Sequence, residues 1–163
     1  MQIDIGFGDV IVPPPTVLHY PAMLEFPAPV LRAYPKEAVV AEKLEALTVL
    51  GMLNSRIKDY YDVALLAQLY PFDGILLVEA IRATLHHRGT TIESNPVGLT
   101  TAFSIDPARA IQWRAFVRRS RLGAEWDFTT IVDHVRHFAS APLTAAAEDQ
   151  PFARNWNPPG PWL

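Results

Sequence analysis

Apolar positions along the chain change their period near residue 36. From Met1 the segment QIDIGFGDVIV alternates, with Ile3, Ile5 and Phe7 on one side and Gln2, Asp4, Gly6 and Gly8 on the other, the pattern of a half-buried strand. VPPPT ends it. A second extended piece is expected across AMLEFPAPVLRAYP, where Pro21, Pro27, Pro29 and Pro35 oppose helix. Beyond Pro35 the spacing becomes helical. The pattern predicts a helix over 36–50 stopped by Gly51, and a second to about Tyr70 capped by Asn54 or Ser55. A third is expected over 74–87, and a fourth from the Asp106–Pro107 cap pair to about Arg121. The fifth covers about 128–139, with Pro142 beyond its end.

These elements predict an α+β, mostly helical chain in three parts: a strand-and-loop segment 1–36, a domain of about five helices over 37–139, and a proline-rich tail 140–163 onto which Trp156 and Trp162 could dock. Two strands do not make a stable sheet. They must pack on the helices or be completed by further strands.

One residue breaks the pattern of the first helix. Val39, Val40, Leu44, Ala46, Leu47 and Leu50 form a broad apolar face, and Lys43 projects from near its centre, while Glu42, Glu45 and Thr48 take the other side. An ammonium on such a face needs a counter-charge. Lys58, Asp59 and Asp62 open the second helix, the two aspartates three residues apart and so neighbours. A short connection makes the two helices antiparallel and brings those carboxylates towards Lys43. Such a cluster is either a structural tie between helices or a lysine-and-carboxylate pair that handles polyphosphate and metal.

Composition narrows the chemistry. The chain has 163 residues, a net charge of −3 and no cysteine, which removes disulfides, thiolate metal sites and a cysteine nucleophile. No apolar run reaches membrane-spanning length and no secretory signal is visible, so a cytoplasmic location away from membranes is expected. Arg114, Arg118 and Arg121 share a stripe of the fourth helix beside Trp113, Phe116 and Val117, a face that could hold an RNA backbone or simply be solvated. His134 and His137 lie one turn apart without a third clear ligand.

YPKEAVVAEKLEAL, LNSRIKDYYDVALL and the opening QIDIGFGD together resemble the AbiEii/AbiGii nucleotidyltransferase toxins of type IV toxin–antitoxin, abortive-infection systems. Val63 stands where that family usually has leucine, and LHHRGTTI and AIQWRAFVRR extend the likeness over about 140 residues. The resemblance implies Lys43 on the nucleotide phosphates with Lys58 beside it, Asp59 as the catalytic carboxylate, and Asp62 with Glu42 in support. It also implies a strand carboxylate that holds metal, for which Asp4 is the candidate and Asp9 the alternative. Magnesium and an NTP, with GTP favoured, are the expected cofactors; a tRNA end and a cognate antitoxin are the expected partners, and no DNA is expected. The family's G-S…D-x-D motif has no counterpart here, and GFGD is followed by valines and prolines rather than a helix. The chain therefore reads as the C-terminal portion of such an enzyme, incomplete in its metal site. The alternative, from another class, is a non-catalytic domain that binds nucleotide, RNA or antitoxin.

Overall fold

The computed structural model describes residue 8, residues 10–22, 25–122 and 126–163. Asp4, Asp9 and the alternating segment that carries them lie outside the described residues, apart from Gly8, Val10, Ile11 and Val12.

The first described elements are β1 (Thr16–His19) and β2 (Val30–Ala33), an antiparallel pair in which Thr16 faces Ala33 and His19 faces Val30. β2 falls inside the expected extended piece, whereas β1 follows the three prolines where no strand was expected. The pair is exposed almost throughout, with Val17, Leu18, Val30 and Leu31 all turned to solvent.

The helices are α1 (Lys36–Leu50), α2 (Ile57–Leu69), α3 (Gly74–His87), the single turn α4 (Thr101–Ser104), α5 (Pro107–Ser120) and α6 (Phe128–Ala147). α1 packs on α3, and α2 and α3 both pack on α6. Their shared core is built from Leu44, Leu47, Tyr60, Ile81, Phe103, Phe128 and Phe138. α3 and α5 begin as expected. Asp73 caps α3 by accepting from Ile75 and Leu76, and Asp106 caps α5 by accepting from Ala108, with Pro107 at the first helical position.

Two boundaries differ from expectation. α2 starts at Ile57 without a side-chain cap, because Asn54 uses its Oδ1 to accept from the Arg56 N–H at 2.8 Å within the connection. The link between α1 and α2 spans residues 51–56 and contains a 3-10 turn, Gly51–Leu53. The larger difference is at α6, which does not stop near Ala139 but runs through Pro142 to Ala147. A proline in a helix lacks the N–H that would bond the carbonyl four residues earlier, here that of Phe138. The Trp162 indole supplies the missing donor, with Nε1 2.8 Å from the Phe138 oxygen.

The C-terminal segment is thus part of the body. β4 (Asn155–Trp156) pairs antiparallel with β3 (Phe72–Asp73), and Asn155 and Leu163 exchange backbone hydrogen bonds at 2.8 and 3.0 Å. Trp156 donates to the Ala67 carbonyl at 2.6 Å, satisfying an acceptor in the last turn of α2. Gly74 allows the close approach: its N–H donates to the Arg154 carbonyl at 2.8 Å, and a Cβ there would stand 2.7 Å from that oxygen.

Candidate functional site

Lys43 leaves α1 near the middle of its length, and α2 crosses it so that the first two turns face the ammonium. Lys43 Nζ donates to Asp59 Oδ1 at 2.8 Å and to Asp62 Oδ2 at 2.7 Å. The two carboxylates meet one ammonium because residues three apart on a helix share a face. The Lys43 side chain is 17% exposed and that of Asp59 5%. Burial pulls the lysine pKa down, but the hydrogen bonds and negative charges of Asp59 and Asp62 more than reverse this and hold it above the ordinary 10.5. The ammonium is charged at neutral pH.

Two more cations complete the cluster. Arg56 Nε lies 2.9 Å from Asp59 Oδ2, and Lys58 Nζ lies 2.5 Å from Asp62 Oδ2, one helical turn away. Arg56 has the distance of an ion pair but not the angle of a hydrogen bond, so Asp59 Oδ2 is a buried acceptor with no donor aligned on it. The arrangement has three cations around two carboxylates. It presents positive charge outward through Arg56 and Lys58, which are mostly exposed, above Asp59 Oδ2, which is ion-paired to Arg56 but has no hydrogen-bond donor aligned on it.

The cluster does not fit a magnesium ion. Both aspartates are already engaged by cations, and no group of three His, Asp or Glu side chains among the described residues is placed to hold a metal. His134 and His137 have separate surroundings: His134 lies edge-on to Trp126 and His137 against Trp156. Glu42, on α1 beside Lys43, is half-buried and makes interactions of its own.

Two supporting groups were not evident in the sequence. Arg109, buried in the first turn of α5, donates through Nη1 to the Asn54 carbonyl at 2.7 Å and through Nη2 to the Met52 carbonyl, with its guanidinium stacked over Phe103. It fixes the connection from which α2 starts, and so the place of Asp59. Glu45, buried on α1, accepts from Arg88 at 2.8 Å and from Thr90 at 3.0 Å. Neither partner lies within a helical turn of the other in sequence, so no local spacing marks them.

Arg114, Arg118 and Arg121 are exposed near the C-terminal half of α5. Arg121 closes the helix in a left-handed conformation, φ 52° and ψ 35°. Arg114 and Arg118 border a hollow of about 440 Å³ with Trp113 and Trp126. On the other side of α5, Arg118 and Arg119 face Arg56 and Lys58 across a groove of about 540 Å³. No helix among the described residues is long and apolar enough to cross a membrane.

No curated protein and no solved structure gave a match. The family model described as nucleotidyl transferase AbiEii toxin, type IV TA system, matches residues 1–134, which include the Lys43–Asp59–Asp62 cluster, the connection held by Arg109 and all of α5. With most of its length covered by that model, the chain belongs to the AbiEii nucleotidyltransferase toxin family of type IV toxin–antitoxin systems.

Proposed function

We propose that the Lys43–Asp59–Asp62 cluster is the phosphate-handling side of a nucleotidyl-transfer site, which moves a nucleotidyl group from an NTP, with GTP favoured, to an acceptor such as a tRNA end. The observation that carries the reading is the state of Asp59: one oxygen is anchored on a charged lysine and the other is a buried acceptor without an aligned donor. Lys43, Arg56 and Lys58 supply the positive charge that attracts a polyphosphate. The acceptor hydroxyl attacks the α-phosphorus, pyrophosphate leaves, and Asp59 Oδ2 takes the hydroxyl proton once Arg56 moves off it. Magnesium, which neutralises polyphosphate in such reactions, would sit on carboxylates outside this cluster, with Asp4 as the candidate. Asp62 keeps Lys43 and Lys58 in place. A cognate antitoxin is the expected protein partner.

The engagement of both aspartates by cations favours a second reading, in which the cluster binds nucleotide or RNA without turnover. One experiment separates the two: the native gene product is incubated with magnesium, α-labelled GTP and tRNA. Transfer of label to RNA is expected for the native protein, with a loss of at least about a hundredfold for Asp59→Asn and no transfer for Lys43→Met. Full transfer by Lys43→Met sinks the assignment. Nucleotide binding without any labelled RNA establishes the binding reading instead.

A further inference from the structure

The two hollows beside α5 share Arg118. In the first, four cations, Arg56 and Lys58 from the start of α2 with Arg118 and Arg119 from α5, line a groove that no carboxylate among the described residues enters. For a chain of net charge −3 this is a strong local reversal of sign. In the second, Trp113, Trp126 and Phe128 form an aromatic hollow bordered by Arg114 and Arg118. Its one carboxylate, Asp127, is occupied as the cap of α6, accepting from the Thr130 N–H at 2.8 Å. A hydrogen bond of 2.9 Å from Trp113 Nε1 to the Trp126 backbone carbonyl fixes the Trp113 indole at the wall of the hollow.

A basic track that leads into an aromatic hollow has the chemistry of a single-stranded nucleic acid: phosphates along the cations and an unstacked base against the rings. We propose that α5 carries a binding site for a single-stranded nucleic-acid segment, with its phosphates in the Arg56–Lys58–Arg118–Arg119 groove and one base in the Trp113–Trp126 hollow. A free triphosphate would fill only the groove and leave the aromatic hollow unused. A duplex keeps its bases stacked and cannot offer one. The groove also touches the candidate catalytic cluster, because Arg56 contacts Asp59 and Lys58 contacts Asp62. A strand lying there delivers its end towards Asp59. Naming that strand the acceptor rests on the transferase reading above; the binding site itself does not.

The test is fluorescence anisotropy of a labelled single-stranded oligoribonucleotide of about ten residues, titrated with the protein at several salt concentrations. The native protein is expected to bind, with affinity falling as salt rises. Arg118→Ala should weaken binding roughly tenfold and reduce the slope of log affinity against log salt by roughly 0.7, the value of one lost phosphate contact on a single strand. Arg118→Lys should keep the slope. Trp126→Ala should weaken binding without changing the slope. Trp126→Ala keeps the backbone carbonyl that holds the Trp113 indole; Ala110→Phe, which fills the hollow without removing a ring, is the second variant and should do the same. Absence of strand binding, unchanged binding by Arg118→Ala, or unchanged binding by both Trp126→Ala and Ala110→Phe would overturn the site. So would equally tight binding of a duplex. Binding is read directly, so a strand held at Arg118 by a protein that transfers nothing sinks the transferase reading and leaves this one standing.

Discussion

Arg88, just past the end of α3, holds Glu45 in the middle of α1 at 2.8 Å, across 43 residues of sequence. Glu45 sits on the opposite side of α1 from the face that meets α2, and its side chain is 11% exposed. α1 is therefore tied by charge on two sides, through Lys43 to α2 and through Glu45 to α3. Removing one partner of such a pair leaves the other buried and uncompensated. Arg88→Ala should lower unfolding free energy by about 1–3 kcal/mol, measured by urea denaturation. Replacing both residues, Glu45→Leu with Arg88→Leu, should recover much of the loss. A double variant as unstable as the sum of the single ones would show that the pair does not act as a unit.

Lys43 gives a prediction with a defined pH window. Its folded pKa is raised, so its contribution to stability is complete below the ordinary 10.5 and is lost as pH rises through the higher folded value. At neutral pH, Lys43→Met should cost about 1–3 kcal/mol, because Asp59 stays buried with only Arg56 opposite it. Adding Asp59→Asn should restore part of this. The stability gap between the native protein and Lys43→Met should then narrow above about pH 10.5, as read from thermal melts along an alkaline series. A gap that persists unchanged through strong alkali would contradict the ion-pair account.

Pro142 and Trp162 should be energetically coupled. Trp162→Phe keeps most of the ring packing on Phe138 but leaves the Phe138 carbonyl without its indole donor, at a cost of about 1 kcal/mol. In a Pro142→Ala background, the helix regains its own N–H at that turn, and the same Trp162→Phe change should cost little. A double-mutant cycle measures the difference, and strict additivity would rule the compensation out.

The Lys43 contact was legible in the sequence because an ammonium on an apolar helix face requires a counter-charge, and the adjacent helix opens with two carboxylates on one face. The same periodicity placed α1 and α3 at their observed limits. Where the sequence was opaque, the determining contact was remote. Nothing local to Pro142 shows that a tryptophan twenty residues later will take the carbonyl the proline leaves free, so the helix was expected to end before it. Arg109 looks like any first-turn arginine until the Met52 and Asn54 carbonyls, more than fifty residues earlier, are folded onto it. Glu45 falls on a side that a two-helix view leaves to solvent, and its partners Arg88 and Thr90 come from just past the end of α3. Strand β1 follows three prolines and buries nothing, so no apolar alternation could announce it.

The indole bonds of Trp156 and Trp162 have a consequence for the order in which the molecule can be assembled. Phe72 and Phe138 pack on one another and Phe138 on both tryptophans, yet those tryptophans are made after every helix they touch. During synthesis the helices emerge first and wait with the Ala67 and Phe138 carbonyls unanswered. The fold closes only when residues 155–163 arrive, so a chain cut before Trp156 keeps its helices and loses both indole donors that seal them.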